Sequence, residues 1–478
     1  MVRSIRRQLA GARVLSRADV RLAEAMGLVA ADTRRPLGFN DPLFYPLDEA
    51  PEGPRLRPFE RVAKRTRRLR RLHALALLVD FDDQPATRSP AEFERLLFDR
   101  SNPGSMAAYY DELSGGRLRV TGEAVGWLRA TRPLSFFADG QSGTGPAFPR
   151  NAPGLLQEAL ELLVARESLA RFDVDGDGYV DGIFLVHAGG GAEAEPDPAR
   201  RAAKIWSHKW VLPAPFESDG VRVYAYSTEP EDGRVGVFAH EFGHVLGLPD
   251  LYDTTYRSRG VGDFCLMGSG SWGGGGDRPT RLSAWCLARL GFVRPRALRR
   301  SARLELAPLA RDRRACVRVW GGPGPEYYLL ECRRPEGRDA ALPARGLAVW
   351  HVDERQSANA TAAAPLVALV QADGARDLER NRNAGDAGDL FPGARGARAF
   401  DAATTPAARA RDGTPAGVAL EAIAETDAGV SLRVRLGAAA ARSTRSRRAR
   451  RPARRGGRPR PARGRARARR GARRPRTR

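Results

Sequence analysis

The segment Phe238-Ala239-His240-Glu241-Phe242-Gly243-His244-Val245-Leu246-Gly247-Leu248-Pro249-Asp250-Leu251-Tyr252-Asp253 sets two histidines four residues apart. On a helix their imidazoles leave from one face and can grip one metal ion. Glu241 follows the first histidine directly, so its carboxylate reaches a water beside the metal as general base without being a ligand. Gly247 admits the positive φ that ends a helix, and Pro249 keeps helix from resuming. The chain then turns back, and Asp250 becomes the third, anionic ligand, with Asp253 as the alternative. Three ligands leave a fourth position open, which suits a catalytic rather than a structural zinc site. The competing reading is a buried helix with two satisfied histidines. With only six histidines in 478 residues, a chance match is rare.

Met267 follows in Asp263-Phe-Cys-Leu-Met267-Gly-Ser-Gly-Ser-Trp272. A Met in a Gly/Ser-rich turn behind a zinc helix resembles the Met-turn of the metzincin peptidases, an apolar floor under the metal. A carboxylate in place of the third metzincin histidine is a departure. So is the lack of a Tyr after the Met, where Gly268, Ser269 and Gly270 stand; Tyr252 is the substitute helper. His208, in Trp206-Ser-His-Lys-Trp210, alternates with aromatics as on an edge strand near a cleft. It reads either as a groove and transition-state residue or as a structural histidine.

Outward from this site the chain divides into four regions. Residues 1–71 mix a short helical pattern (Val20–Ala31) with Pro-rich and basic stretches, as an N-terminal flank in the place of a propeptide. Residues 72–295 open with the apolar run Leu72–Phe81, which predicts a strand buried on both faces. Helical periodicity follows at Ala91–Asp99, Ser105–Leu113 and Ala152–Ser168, with strands at Arg117–Leu128 and Gly182–His187. The expected fold is an α/β (α+β) zincin- or metzincin-like catalytic domain. Residues 300–436 carry seven short strand patterns between Gly, Pro and Asp turns, which predicts an all-β, sandwich-like domain. Residues 437–478 offer no core-forming residues and are expected to be a disordered Arg-rich tail.

Composition narrows the function classes. Basic residues exceed acidic ones by 80 to 56, but residues 441–478 hold 19 Arg and no carboxylate, so the excess of 24 falls to five without them. The body is not a nucleic-acid binder by charge; the tail would hold polyanions nonspecifically and salt-dependently. The longest apolar run is too short to cross a bilayer. A basic N-terminus with no apolar stretch after it lacks the pattern of a signal peptide. Cys265, Cys286, Cys316 and Cys332 lack paired metal or redox spacing. Two disulfides and free buried thiols both remain open.

Beyond the zinc segment, Tyr109-Tyr-Asp-Glu-Leu-Ser-Gly-Gly-Arg-Leu118, Ile205-Trp-Ser-His-Lys-Trp210, Glu326-Tyr-Tyr-Leu-Leu-Glu-Cys-Arg333, Gly346-Leu-Ala-Val-Trp-His351 and Leu369-Val-Gln-Ala-Asp-Gly374 are similar to the immune inhibitor A-type peptidases. This M6 family comprises secreted bacterial zinc proteases, and the resemblance runs from about Leu72 to Leu436. It implies a zinc-dependent endopeptidase acting on proteins or peptides, with His240, His244 and Asp250 as ligands and Glu241 as base. It also implies export, and a monomer is expected. The alternative function is a non-catalytic surface or polyanion binder using the β domain and tail; an intact Glu241 argues against it.

A second ion site is expected at Asp173-Val-Asp175-Gly-Asp177-Gly178-Tyr-Val-Asp181. Carboxylates at positions 1, 3, 5 and 9, with Gly at 6, follow the start of an EF-hand loop and suit a structural Ca²⁺. Phe184 stands where the bidentate Glu would be, so a plain Asp/Gly turn is the other reading.

Overall fold

A computed structural model describes residues 71–437, apart from 175, 177, 254–256, 321–324, 357 and 360–361. The flank 1–70, including Val20–Ala31, and the tail beyond 437 lie outside the described residues.

Strand β1 (Arg71–Asp80) is buried almost throughout. Ala74, Ala76 and Leu78 enter one core, while Leu75, Leu77 and Val79 enter another on the opposite face. That is why its sequence is continuously apolar rather than alternating. Helices α1 (Pro90–Leu97) and α2 (Met106–Ser114) lead to β2 (Arg119–Arg129), which pairs parallel with β1. Ser89 and Glu92 close a capping box on α1, and Gly115, at φ 67°, ends α2. The short helix α3 (Leu134–Ala138) and α4 (Ala152–Val164) return the chain to β3 (Ile183–His187).

After helix α5 (Pro198–Ala202), β4 (His208–Ser218) and β5 (Val221–Pro230) form a hairpin that completes a sheet of order β2-β1-β3-β5-β4. β1, β2, β3 and β5 run parallel; β4 is the antiparallel edge. The hairpin turns on Asp219 and Gly220 at φ 51° and 79°, as a two-residue primed turn requires. From β5 a short loop feeds α6 (Val235–Val245), the helix of the zinc segment. Phe238 and Phe242 of α6 pack on Phe184 of β3, with ring centroids 6.1 and 5.8 Å apart.

Helix α7 (Ala284–Arg289) precedes a strand-rich second part. A five-stranded sheet of order β11-β10-β9-β8-β6 combines Val367–Leu369, Gly346–Asp353, Glu326–Arg333, Val317–Val319 and Arg296–Ala297. A three-stranded sheet, β12-β13-β7, combines Val418–Thr426, Gly429–Leu436 and Ala302–Leu306. The whole is mixed α/β, and every strand pattern expected after residue 300 meets a strand or its flank. Phe242, Met267 and Trp350 share one buried cluster, so apolar packing is continuous from the first sheet into the second.

Candidate metal centre and its cleft

Three side chains converge at the end of α6. The Nε2 atoms of His240 and His244 lie 3.0 and 3.2 Å from the same Oδ1 of Asp250. All three residues are buried. Each imidazole is oriented from behind: Nδ1 of His240 donates to the Leu266 carbonyl at 2.9 Å, and Nδ1 of His244 to the Leu248 carbonyl at 2.8 Å. A carbonyl only accepts, so the proton sits on Nδ1 and each Nε2 is free to bind a metal.

The exit turn explains Asp250. Gly247, at φ 91°, stops α6, and Leu248 N–H folds back onto the Gly243 carbonyl at 3.0 Å. That fold aims the Leu248 carbonyl at His244 and returns Asp250 to the two histidines. Asp253 is also buried but lies outside the three-residue set; its Oδ2 accepts from Ser258 at 3.1 Å.

The donor set tests well for zinc. Two imidazole nitrogens and one carboxylate oxygen are a hard-to-borderline N₂O set. His244 Nε2 and Asp250 Oδ2 are buried with no hydrogen-bond partner, a costly state unless a cation takes their lone pairs. Glu241 Oε2 is likewise unpartnered. Burial pushes the Glu241 carboxyl up to about 7, against the pull of His244 and His240. Burial also opposes ionisation of Asp250, but His244 and His240 outweigh it and hold its carboxyl low.

His240 and Glu241 lie in a cleft of about 680 Å³ whose walls include Trp206, Ser207, Tyr252 and Trp272. The Tyr252 ring lies over His240, with centroids 6.2 Å apart. Met267 is fully buried, and a Cβ placed on Gly243 would sit 2.6 Å from its sulfur, so the thioether packs directly under α6. The Met267 carbonyl accepts from Leu251 N–H at 2.7 Å, which ties this turn to the segment carrying Asp250.

His208 is on the edge strand but does not reach the cleft. It is buried, with Nδ1 at 2.7 Å from the Trp206 carbonyl and Nε2 at 3.0 Å from the Tyr226 hydroxyl. Its neighbours Trp206 and Ser207 line the cleft instead. In the acidic loop, Asp175 and Asp177 lie outside the described residues. Asp173 Oδ2 accepts from Gly178 N–H at 2.9 Å, and the buried Asp181 accepts from His73 N–H at 2.8 Å.

Several supporting residues carry no motif that sequence reading could find. Asn359 donates to the carbonyls of Leu251 (2.9 Å) and Val367 (2.7 Å), pinning the segment that follows Asp250 to the edge of the second sheet. Arg333 of β9 donates to the Phe264 carbonyl at 2.7 Å and pairs with Asp339. Tyr110 of α2 donates to the Ala239 carbonyl at 2.6 Å, under the metal helix itself.

Residues 91–290 match the family model described as immune inhibitor A peptidase M6, catalytic domain. The pre-pro-metalloprotease PrtV of Vibrio cholerae serotype O1 is 34% identical over 266 residues, 44% of this chain and 28% of PrtV. Immune inhibitor A of Bacillus thuringiensis subsp. alesti is 34% identical over 218 residues, 39% of this chain and 32% of that protein. The chain thus spans under a third of the length of these curated relatives. No helix among the described residues is long and apolar enough to cross a membrane.

Proposed function

We infer that this chain, which carries an M6-type peptidase catalytic domain, is a zinc-dependent endopeptidase acting on proteins or peptides. The observation that carries the reading is the convergence of His240, His244 and Asp250 beside Glu241, whose Oε2 has no hydrogen-bond partner, on an open cleft. The two Nε2 atoms and the Asp250 carboxylate would hold the ion. Zinc there supplies Lewis acidity toward a carbonyl and a water.

Glu241 is the general base. Its carboxyl, raised toward neutrality by burial, takes the proton of the attacking water and passes it to the leaving amine. Trp206 and Ser207, on the cleft wall, immediately precede the edge strand β4, which favours an extended substrate lying beside it. Tyr252, on the cleft wall, would be the donor to the tetrahedral intermediate. Met267 supports the ligands from below.

Residues 72–295 then form the catalytic domain, and the sheets of 300–436 a sandwich-like domain that braces it. Resemblance to secreted proteases supports export of this chain, and the Asp173–Asp181 loop is retained as a structural Ca²⁺ site on its ligand spacing alone. The test is casein hydrolysis by the purified chain. Activity lost with 1,10-phenanthroline and restored by stoichiometric Zn²⁺ is expected; hydrolysis indifferent to the chelator, or none in zinc-loaded protein, would refute the reading.

A further inference from the structure

Two cysteines meet behind the metal centre. Cys265, two residues before Met267, and Cys286, in α7, are both completely buried, with sulfurs 3.9 Å apart. Cys316 and Cys332 are also buried and reduced but take no part in this contact. The sulfur of Cys265 accepts from Ser283 N–H at 3.3 Å, and Ser283 Oγ caps α7 through Cys286 N–H at 3.4 Å. The pair therefore sits on a hydrogen-bonded frame joining the turn to the helix start. Between the two cysteines runs the Gly-rich segment 269–276, whose Ser269, Ser271, Trp272 and Gly275 form one lip of the cleft.

We propose that Cys265 and Cys286 are a disulfide-forming pair, oxidised by small-molecule disulfides, which closes the base of the cleft lip and locks the Met267 turn to α7. The sulfurs must approach by about 2 Å to bond, a distance within reach of side-chain rotation. Cys265 is the attacking thiol: burial opposes its ionisation, but the hydrogen bonds from Cys286 and Ser283 favour its thiolate. Burial pushes the Cys286 thiol up. The Cys265 thiolate attacks one sulfur of the reagent and expels the first small thiol. Cys286 then attacks the Cys265 sulfur of the mixed disulfide and expels the second. Two cysteine thiols are oxidised, one reagent disulfide is reduced, and both protons end on the departing thiols.

The carbonyl of Leu266, which lies inside the closed loop, orients His240, so the bond would stiffen the backing of a metal ligand. The bond itself does not depend on the peptidase reading, because its readout is mass. The full chain is incubated with oxidised glutathione a few degrees below its melting midpoint, where local opening admits the reagent. It is then unfolded in iodoacetamide and mapped by mass spectrometry. Expected is a peptide pair linked through Cys265 and Cys286, about 2 Da lighter than its reduced parts, with Cys316 and Cys332 alkylated. The oxidised chain should melt at a higher temperature, and reductant should reverse the shift. Cys286→Ser should instead leave Cys265 carrying glutathione. Alkylation of all four cysteines after oxidation, or linkage of Cys265 to Cys316 or Cys332, would overturn the proposal.

Discussion

His240 and His244 each commit Nδ1 to a backbone carbonyl, so neither ring can rotate away without leaving a buried acceptor unpaired. Asp250 has no comparable neutral partner for Oδ2. Asp250→Ala is therefore expected to weaken zinc affinity sharply, whereas Asp253→Ala, which removes a partner of Ser258, should leave it nearly unchanged. Competition with a chelating dye measures both; zinc lost from the Asp253 variant alone would transfer the ligand role. Glu229 of β5 makes a second residue-scale prediction. It is completely buried, both oxygens lack partners, and burial followed by the nearby Glu241 raises its carboxyl well above the ordinary range. The folded chain keeps a proton there that the unfolded chain releases above its own carboxylate pKa of 4.5. Stability from this group is thus full below that pKa and falls as pH rises, by about 1.4 kcal/mol per pH unit while only the unfolded form is ionised. Glu229→Gln should lose that slope in denaturant titrations run upward from the unfolded carboxylate pKa of 4.5. An unchanged slope would show that Glu229 is ionised when folded.

At the scale of elements, α6 is held from three sides: by Phe184 of β3, by Tyr110 of α2 and by Met267. Much of this was legible. The apolar run of β1 announced a strand covered on both faces, and His240, Glu241, His244 and Gly247 announced a helix with a fixed exit. The β4–β5 hairpin was not read, although Asp219-Gly220 is a strong local turn signal; Pro213 and Pro215 interrupt the strand pattern before it. His208 stayed open between a groove residue and a structural histidine because alternation along an edge strand does not say which face points to the cleft; its Nε2 meets the Tyr226 hydroxyl. Asn359 was illegible for another reason: its partners Leu251 and Val367 are brought together only by tertiary packing. Asn359→Ala leaves two carbonyls and the Val367 N–H without it, at a cost of about 1–3 kcal/mol. Weaker zinc retention should accompany the lower urea midpoint. Wild-type retention at reduced stability would mean that Asn359 braces the sheet and not Asp250.

Across the whole molecule, the second sheet shares one apolar core with the helix that carries His240 and His244 rather than hanging from it as an appendage. Glu331 of β9 accepts from Ala284 N–H at 3.0 Å at the start of α7, and Trp350 of β10 donates to the same oxygen at 2.7 Å. Removing residues 296–478 would uncover Phe242's own core cluster, so the shortened chain is expected to be insoluble or to unfold without cooperativity in calorimetry. A sharp transition with zinc bound would show that residues 72–295 fold alone. The central claim is narrower: three side chains hold the metal and a fourth moves the proton. Glu241→Gln keeps the size of that fourth side chain and leaves His240, His244 and Asp250 untouched. Zinc content and peptide hydrolysis should be measured on the same preparation of this variant. The account predicts one zinc per chain with hydrolysis reduced by about 10²–10⁴-fold or more; full hydrolysis with zinc bound would contradict it.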